Sequence, residues 1–196
     1  MLGKDFVLRP YQTIWMTLPN MPGFYKEEPK HRPIIILDPG YDEDELDRGE
    51  VDLDAMFPYL LYCTGEVNTY YYPTPMSAPG GEPSTFLIPG NVCRNFGMKK
   101  ETCCIPLWIV GRSTFSAAYL LSVPDGEFTK RLSLQDAQYI EKNVNWAATH
   151  PAYSDHSEFK VFEEKYQIFA VPASEIYAKD AAYEKIKKAK EEAAKK

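Results

Sequence analysis

The chain contains few of the features that mark membrane proteins or secreted disulfide-rich proteins. No apolar run approaches the roughly 18 residues needed to span a membrane. The first residues lack the apolar stretch of a signal peptide. Only 4 of the 196 residues are Cys and only 3 are His. We therefore expect a cytoplasmic protein that does not associate with membranes.

The four cysteines do not form a recognisable metal or disulfide pattern. They are Cys63, Cys93, Cys103 and Cys104, with no CxxC pair and no His at metal-ligand spacing. Adjacent residues of a strand point to opposite faces, so Cys103 and Cys104 are not expected to share a disulfide or a zinc ion. We predict reduced, mostly buried thiols, no metal and no other cofactor.

The net charge of −6 is concentrated in one segment. Residues 39–57 contain eight acidic side chains and a single base, Arg48, which is typical of a solvated, mobile insertion. The remainder, with 21 basic and 20 acidic residues, is close to neutral. A nucleic-acid substrate is thus not excluded, although the chain has no broad basic stripe.

Apolar runs bounded by Pro and Gly predict a series of short strands. The clearest is His31–Asp38, in which Pro33 precedes four aliphatic residues and Asp38-Pro39-Gly40 ends the run. Such a run is typical of a strand buried on both faces. The other predicted strands are 11–18, 59–64, 67–72, 84–88, 102–110, with a bulge or edge at Pro106, and 115–123.

The period changes to that of helices in the last third of the chain. Ser133 is a suitable N-cap for a helix that runs to about Ala148. Residues 152–172 suggest a short hairpin, and Ser174 is the expected cap of a Lys- and Ala-rich helix that frays after about Lys188. The fold class is therefore mainly β with C-terminal helices (α+β), built on a small, strongly bent antiparallel sheet or barrel with long loop insertions.

The order of four segments carries further information. An opening strand comes first, then an Arg-Pro-aliphatic strand, then a strand that ends in Thr, then a Gly-hydrophobic-x-x-acid-Thr signal before an apolar strand. A Leu- and Ser-containing helix start, 132–136, closes the set. The four segments are Ile14-Trp15-Met16, Arg32-Pro33-Ile34-Ile35-Ile36-Leu37, Tyr62-Cys63-Thr64 and Gly97-Met98-Lys99-Lys100-Glu101-Thr102.

In this order the chain resembles the MazF/PemK/Kid ribonuclease toxins over roughly residues 11–148. The resemblance implies an SH3-like barrel domain at 11–150, a C-terminal extension at 151–196 and possible homodimers. It also implies metal-independent cleavage of single-stranded RNA, with an antitoxin or another protein as a further partner. Arg32 would bind the scissile phosphate and assist proton transfer, and Thr64 would donate a hydrogen bond to it. On the residues alone, Arg32 also fits a solvated strand-end charge, and Thr64 a strand former.

The chain departs from the family pattern at several positions. Lys26 stands near the place of a small hydroxyl residue, and Trp108 stands where relatives present a polar RNA-binding side chain. Both are, with His31 and Tyr25, candidate substrate-binding residues. His31 is a candidate acid or base, but neighbours on a strand face opposite ways, so it cannot point inward together with Arg32 without a bulge. Tyr25 and the nearby aromatic residues are candidates for base stacking or for packing.

Three functions remain open at this point. The first is an active endoribonuclease. The second is a barrel without catalysis that serves as a binding module, encoded by a mobile element, whose acidic segment mimics a nucleic-acid backbone toward a basic partner. The third is an unrelated β-rich protein.

Overall fold

An antiparallel sheet forms the centre of the protein in a computed structural model that describes residues 6–17, 30–67, 86–110, 115–148 and 171–195. Its strand order is β4-β5-β3-β2-β1-β6, and the sheet curls into a half-barrel. The mixed α+β class and the small, bent antiparallel sheet are confirmed. The strands are β1 (Gln12–Thr17), β2 (His31–Asp38), β3 (Tyr59–Thr64), β4 (Phe86–Ile88), β5 (Thr102–Val110) and β6 (Glu127–Arg131).

Strand β2 lies near the middle of the sheet because its aliphatic residues can be buried on both faces. It pairs with β1 on one side and with β3 on the other. Ile34 and Ile36 pack into the hydrophobic core on one face, whereas Ile35 and Leu37 pack into the core on the opposite face. The strand ends where Asp38 Oδ1 accepts a hydrogen bond from the amide of Gly40 at 2.7 Å.

Helices and turns cover both faces of the sheet. Helix α2 packs on the face of Ile34 and Ile36, and helix α3 packs on the face of Ile35. We call these the α2 face and the α3 face. The helices are α1 (Glu43–Asp47), a 3₁₀ turn (Cys93–Phe96), α2 (Ala117–Ser122), α3 (Leu134–Ala148) and α4 (Ala173–Ala194).

Strand β5 has the bulge that Pro106 predicts. Its pairing with β3 shifts register between Leu61, which faces Ile109, and Cys63, which faces Cys104. Extra residues of β5 around Pro106 lie in this interval, because a proline cannot donate to the ladder. The bulge prediction is confirmed, although β5 lies between β4 and β3 rather than at an edge.

The prediction of a strand at residues 115–123 is wrong. The segment contains α2, whose first turn is capped where Ser116 Oγ accepts a hydrogen bond from the amide of Tyr119 at 3.1 Å. Ala117 and Leu120, three residues apart, are its buried side chains, as the helical period requires. The strand that completes the sheet, β6, follows it in a charged segment that has no strand-like alternation.

The predicted insertion at residues 39–57 is solvated along its acidic side chains, but its apolar side is docked on the core. The segment contains α1, and its apolar side chains pack against the core of the α2 face. Its backbone caps α2, because the Met56 carbonyl accepts from the Ala117 amide at 2.7 Å and the Leu53 carbonyl from the Ala118 amide at 3.1 Å. The docked apolar residues are Leu46, Val51, Leu53 and Met56.

Helix α4 begins at Ala173, after Pro172 rather than after Ser174 as predicted, and runs to Ala194. Ala173 is fully buried in the core of the α3 face, and the Tyr177 hydroxyl donates to the Leu132 carbonyl at 2.7 Å. Most of the predicted hairpin at 152–172, like most of the predicted strand at 67–72, lies outside the described residues. Among the described residues, no helix is both long enough and apolar enough to cross a membrane.

Candidate functional site

Arg32 and Thr64 meet at one end of the sheet, on the α2 face. The antiparallel pairing of Ile34 with Tyr62 brings the start of β2 against the end of β3. Two residues further along each strand, the side chains of Arg32 and Thr64 point to the same face. Arg32 Nη1 donates a hydrogen bond to Thr64 Oγ1. Two groups that bind the same phosphate are expected to lie on either side of it. Arg32 and Thr64 are closer than this, because they contact each other directly.

The pair is buried, and a carboxylate compensates its charge. Arg32 is 6% exposed and Thr64 is 0% exposed. Glu66 Oε1 lies 3.5 Å from Arg32 Nη2 and 3.4 Å from Lys30 Nζ. A buried guanidinium requires such a partner, because an uncompensated charge would be very costly away from water. Because Glu66 is 41% exposed, this carboxylate connects the buried pair with solvent.

The hydrogen bonds at Thr64 leave its hydroxyl hydrogen available as a donor. Oγ1 accepts one bond from Arg32 and a second, of 3.2 Å, from the Glu66 amide. A hydroxyl has two acceptor positions and one hydrogen. Both contacts therefore occupy its acceptor positions and leave the O–H as a donor. Because Thr64 is 0% exposed, the oxygen of a phosphate can reach this O–H only after the residues that cover it move.

Sequence reasoning missed Glu66 and Lys30 as members of this cluster. The sequence indicates these two residues only through their positions, because Lys30 directly precedes β2 and Glu66 follows Gly65 at the end of β3. Gly65 itself allows a close approach. A Cβ atom at this position would lie 2.2 Å from Cε of Lys100, so the Lys100 side chain lies directly against the glycine.

His31 does not join Arg32 and Thr64. Its ring lies beside the Trp15 indole at a tilt of 30°, with centroids 5.8 Å apart, and Nε2 lies 3.1 Å from the Asp125 carbonyl. Trp15 packs against the core of the α3 face, and Lys99 Nζ lies 4.7 Å from its ring centroid. The alternation of the strand predicted this separation. A substrate that contacts both His31 and Arg32 would have to pass around the end of the sheet.

The carboxylate of Asp125 is held in its charged form beside this histidine. Partial burial opposes ionisation, but hydrogen bonds from Thr17 and the nearby His31 keep the pKa of Asp125 below its ordinary value of 3.8. The Thr17 amide donates to Asp125 Oδ1 at 3.2 Å. The Asp125 carboxylate therefore places a negative charge beside His31.

The remaining predicted site residues cannot be placed. Tyr25 and Lys26 lie outside the described residues, as does the side chain of Trp108. In the described part of the chain, no three His, Cys, Asp or Glu side chains are grouped so that they could hold a metal ion. The chemical groups of the site are a guanidinium, a hydroxyl and a carboxylate, which can bind a phosphate and exchange a proton.

A cavity of about 350 Å³ lies at the other end of β2. It lies between the N-terminal arm (residues 6–10), the end of β2 and the start of α4. Five carboxylates and two basic side chains line it, so it is unsuited to a polyanion. The charged residues of its wall are Asp38, Asp42, Glu43, Glu45, Asp180, Arg9 and Lys179.

Comparison of the chain with known proteins adds no family to this description. No protein-family model, no curated protein and no solved structure matches it. The resemblance to the MazF/PemK/Kid toxins therefore remains a hypothesis, which rests on the ordered motifs and on the cluster around Arg32.

Proposed function

We propose that the protein is a metal-independent endoribonuclease of the MazF/PemK/Kid type, with an SH3-like barrel, that cleaves single-stranded RNA. The observation that carries the proposal is the hydrogen bond from Arg32 to Thr64 at the end of β2 and β3, with Glu66 beside it. Segments that are distant in sequence thereby place a phosphate-binding cation, a hydroxyl donor and a proton acceptor together.

The reaction follows from these three groups. The ribose 2′-oxygen attacks the adjacent phosphorus, the bond from phosphorus to the 5′-oxygen breaks, and a cyclic phosphate and a 5′-hydroxyl are formed. The Arg32 guanidinium and the Thr64 hydroxyl stabilise the added negative charge on the phosphoryl oxygens. The Glu66 carboxylate takes the proton of the 2′-hydroxyl, and a water molecule protonates the departing 5′-oxygen. The hydroxide that remains takes the proton from Glu66, while Arg32 stays charged throughout.

Substrate binding requires Glu66 to release Arg32. The distance of 3.5 Å from Glu66 Oε1 to Arg32 Nη2 is at the limit of a hydrogen bond, and the Glu66 side chain is partly exposed. A phosphate can therefore replace the carboxylate at Nη2 without a change in the sheet. Glu66 then remains near the 2′-oxygen and is free to act as a base.

An RNA cleavage assay in EDTA tests the proposal. Purified protein is incubated with a mixed-sequence RNA, and the ends are mapped. We expect 2′,3′-cyclic phosphate and 5′-hydroxyl ends, and no cleavage of the same sequence with 2′-deoxyribose. Glu66→Gln is expected to lower the rate at neutral pH while RNA binding is retained. Cleavage of the deoxy substrate, or no cleavage of RNA by a protein that is folded, would contradict the proposal.

A catalytically inactive binding module is the second candidate. The burial of Arg32, and its pairing with both Thr64 and Glu66, favour this alternative because they also suit a structural ion pair. In that case the protein binds RNA or a protein partner such as an antitoxin, alone or as a homodimer. Retained RNA binding without any cleavage, unchanged by Glu66→Gln, is the result that this candidate predicts.

A further inference from the structure

Two buried cysteines face each other across strands β3 and β5. Cys63 and Cys104 are partners in the antiparallel register, and their Sγ atoms lie 3.4 Å apart. Both thiols are free and buried in the core of the α3 face. Sequence spacing did not suggest this pair, because 41 residues separate the two positions.

The backbone geometry suits a disulfide between them. Directly opposed residues of antiparallel strands have Cα atoms about 4.5–5.5 Å apart, which is within the range of about 4.4–6.8 Å found across disulfides. A bond requires the sulfurs to approach to about 2.05 Å, which rotation of the two side chains can provide. Cys103 is excluded from this pair, because it points into the core of the α2 face.

We propose that Cys63 and Cys104 form a thiol pair that hydrogen peroxide oxidises slowly to a disulfide across β3 and β5. One thiolate attacks a peroxide oxygen and becomes a sulfenic acid, with release of one water from hydrogen peroxide. The second thiol then attacks the sulfenic sulfur, the S–O bond breaks and a second water leaves. The two thiols together lose two electrons and two protons, and the peroxide is the oxidant.

The burial of the pair determines which oxidants act on it and how fast. Burial and the neighbouring Cys63 raise the pKa of the Cys104 thiol, so the reactive thiolate is scarce and oxidation is slow. Side chains of α3, including Ile140 and Val144, belong to the same buried core as the pair. A small, uncharged peroxide should therefore react faster than a bulky disulfide reagent, and the product should resist reduction until the protein unfolds.

The position of the pair gives the disulfide a structural consequence. Cys63 precedes Thr64, and the register partner of Thr64 is Cys103, the neighbour of Cys104. The bond would therefore fix β3 to β5 one residue away from the hydroxyl that binds Arg32. The formation of the bond does not depend on whether this site cleaves RNA.

Peptide mapping after oxidation tests the proposal. The folded protein is treated with hydrogen peroxide, unfolded with an alkylating reagent present, digested without reductant and analysed by mass spectrometry. We expect a peptide pair linked through Cys63 and Cys104, loss of two alkylated thiols, and reversal by dithiothreitol in denaturant. An equal dose of oxidised glutathione should give the link more slowly.

Variants of neighbouring cysteines provide matched controls. Cys103→Ala and Cys93→Ala should still form the link, whereas Cys63→Ala should lose it. The mapping of the unmodified protein decides the matter even if a variant does not fold. Absence of the linked pair, a link that involves Cys93 or Cys103, or stable sulfinic acid in place of the bond would overturn the proposal.

Discussion

Arg32 illustrates how a single residue can have a structural and a chemical role at once. Its charge is buried, yet it is compensated by the exposed Glu66 and oriented by the hydroxyl of Thr64. A lysine at this position would retain the charge but could not contact both partners as a planar fork. The shape of the guanidinium, more than its charge, is therefore what the site requires.

The first prediction concerns these two residues. Arg32→Lys should lose most of the RNA cleavage, because an ammonium group cannot form the bidentate contact with a phosphate. Thr64→Ala should cost about 2–3 kcal/mol of transition-state stabilisation, or roughly a hundredfold in rate, whereas Thr64→Ser retains the hydroxyl and should keep most of the activity. Single-turnover cleavage rates measure this. Equal loss in Thr64→Ser and Thr64→Ala would show that Thr64 acts through packing.

Two buried tyrosines differ in what their hydroxyl groups do. Tyr62 is fully buried, and its hydroxyl has no hydrogen-bond partner among the described residues. Burial raises the pKa of this phenol strongly, so it stays protonated. Tyr41 is also buried, but its hydroxyl accepts a hydrogen bond from the Leu8 amide at 3.2 Å, and burial raises its pKa to about 12.

The second prediction uses this difference. Tyr62→Phe should leave the free energy of unfolding unchanged or raise it by up to about 1–3 kcal/mol, because it removes an unsatisfied buried polar group. Tyr41→Phe should lower it by about 1–2 kcal/mol, because it leaves the Leu8 amide without its acceptor. Urea unfolding measures both. A destabilised Tyr62→Phe variant would mean that the hydroxyl has a partner, such as a bound water.

At the scale of elements, strands with strong boundaries were predictable from the sequence. β3 and β5 have the predicted limits, because Pro58, Gly65 and the turn at Asn95–Gly97 bound continuous apolar runs. α2 was not predictable in this way, because a short apolar run has no period that separates a strand from a buried helix. The same strand boundaries predicted that Arg32 and Thr64 lie at strand ends. The position of Glu66 beside them was not predictable, because it depends on the conformation of the loop after β3.

The acidic segment shows the limit of composition as a guide. Its acidic residues suggested exposure, but Leu46 and Val51 supply an apolar side that packs on the core. Several of its carboxylates have basic partners from elsewhere. Glu43 forms a bidentate pair with Arg9, and Asp47 contacts Lys187 Nζ at 2.7 Å. Sequence patterns do not reveal such pairs, since their members lie far apart along the chain.

The third prediction concerns the contact of α4 with α1. Hydrogen bonds from Lys187 and Tyr183 hold the pKa of Asp47 below its ordinary value of 3.8. Because the folded-state pKa is lowered, the contribution of this contact to stability is present at higher pH and is lost as the pH falls through the lowered value. Asp47→Asn should therefore reduce stability slightly at pH 7, less so in high salt, and progressively less as the pH falls below 3.8. Thermal unfolding across this pH range measures the difference.

Removal of residues 189–196 is the matched control for this contact. The side chains of 188–195 are all exposed, so the melting temperature should stay almost unchanged. The helix itself continues to Ala194, beyond the point near Lys188 where its Lys- and Ala-rich composition predicted fraying. A drop of several degrees would show that this end of α4 is docked.

At the scale of the whole molecule, one sheet separates two hydrophobic cores. The core of the α2 face receives the N-terminal arm, the acidic segment and α2, whereas the core of the α3 face receives the 3₁₀ turn, α3 and the start of α4. Strands β2 and β3 contribute side chains to both cores, so the two cores share the middle of the sheet. The Arg32 cluster lies where the start of β2 meets the end of β3, next to the buried side chains of both strands. These packed strands give its side chains a rigid base.

The last prediction tests whether the two cores unfold together. Leu120→Ala on α2 and Ile140→Ala on α3 each remove a fully buried side chain and should each cost about 2–5 kcal/mol. Leu134→Ala, on the same helix as Ile140 but 37% exposed, should cost much less. Because both cores share β2 and β3, tryptophan fluorescence and far-ultraviolet circular dichroism should give the same urea midpoint in every variant. Separate midpoints in Leu120→Ala or Ile140→Ala would show that the core on one face of the sheet can unfold while the core on the other face stays folded. The stability of the Arg32 cluster would then depend only on the core of the α2 face.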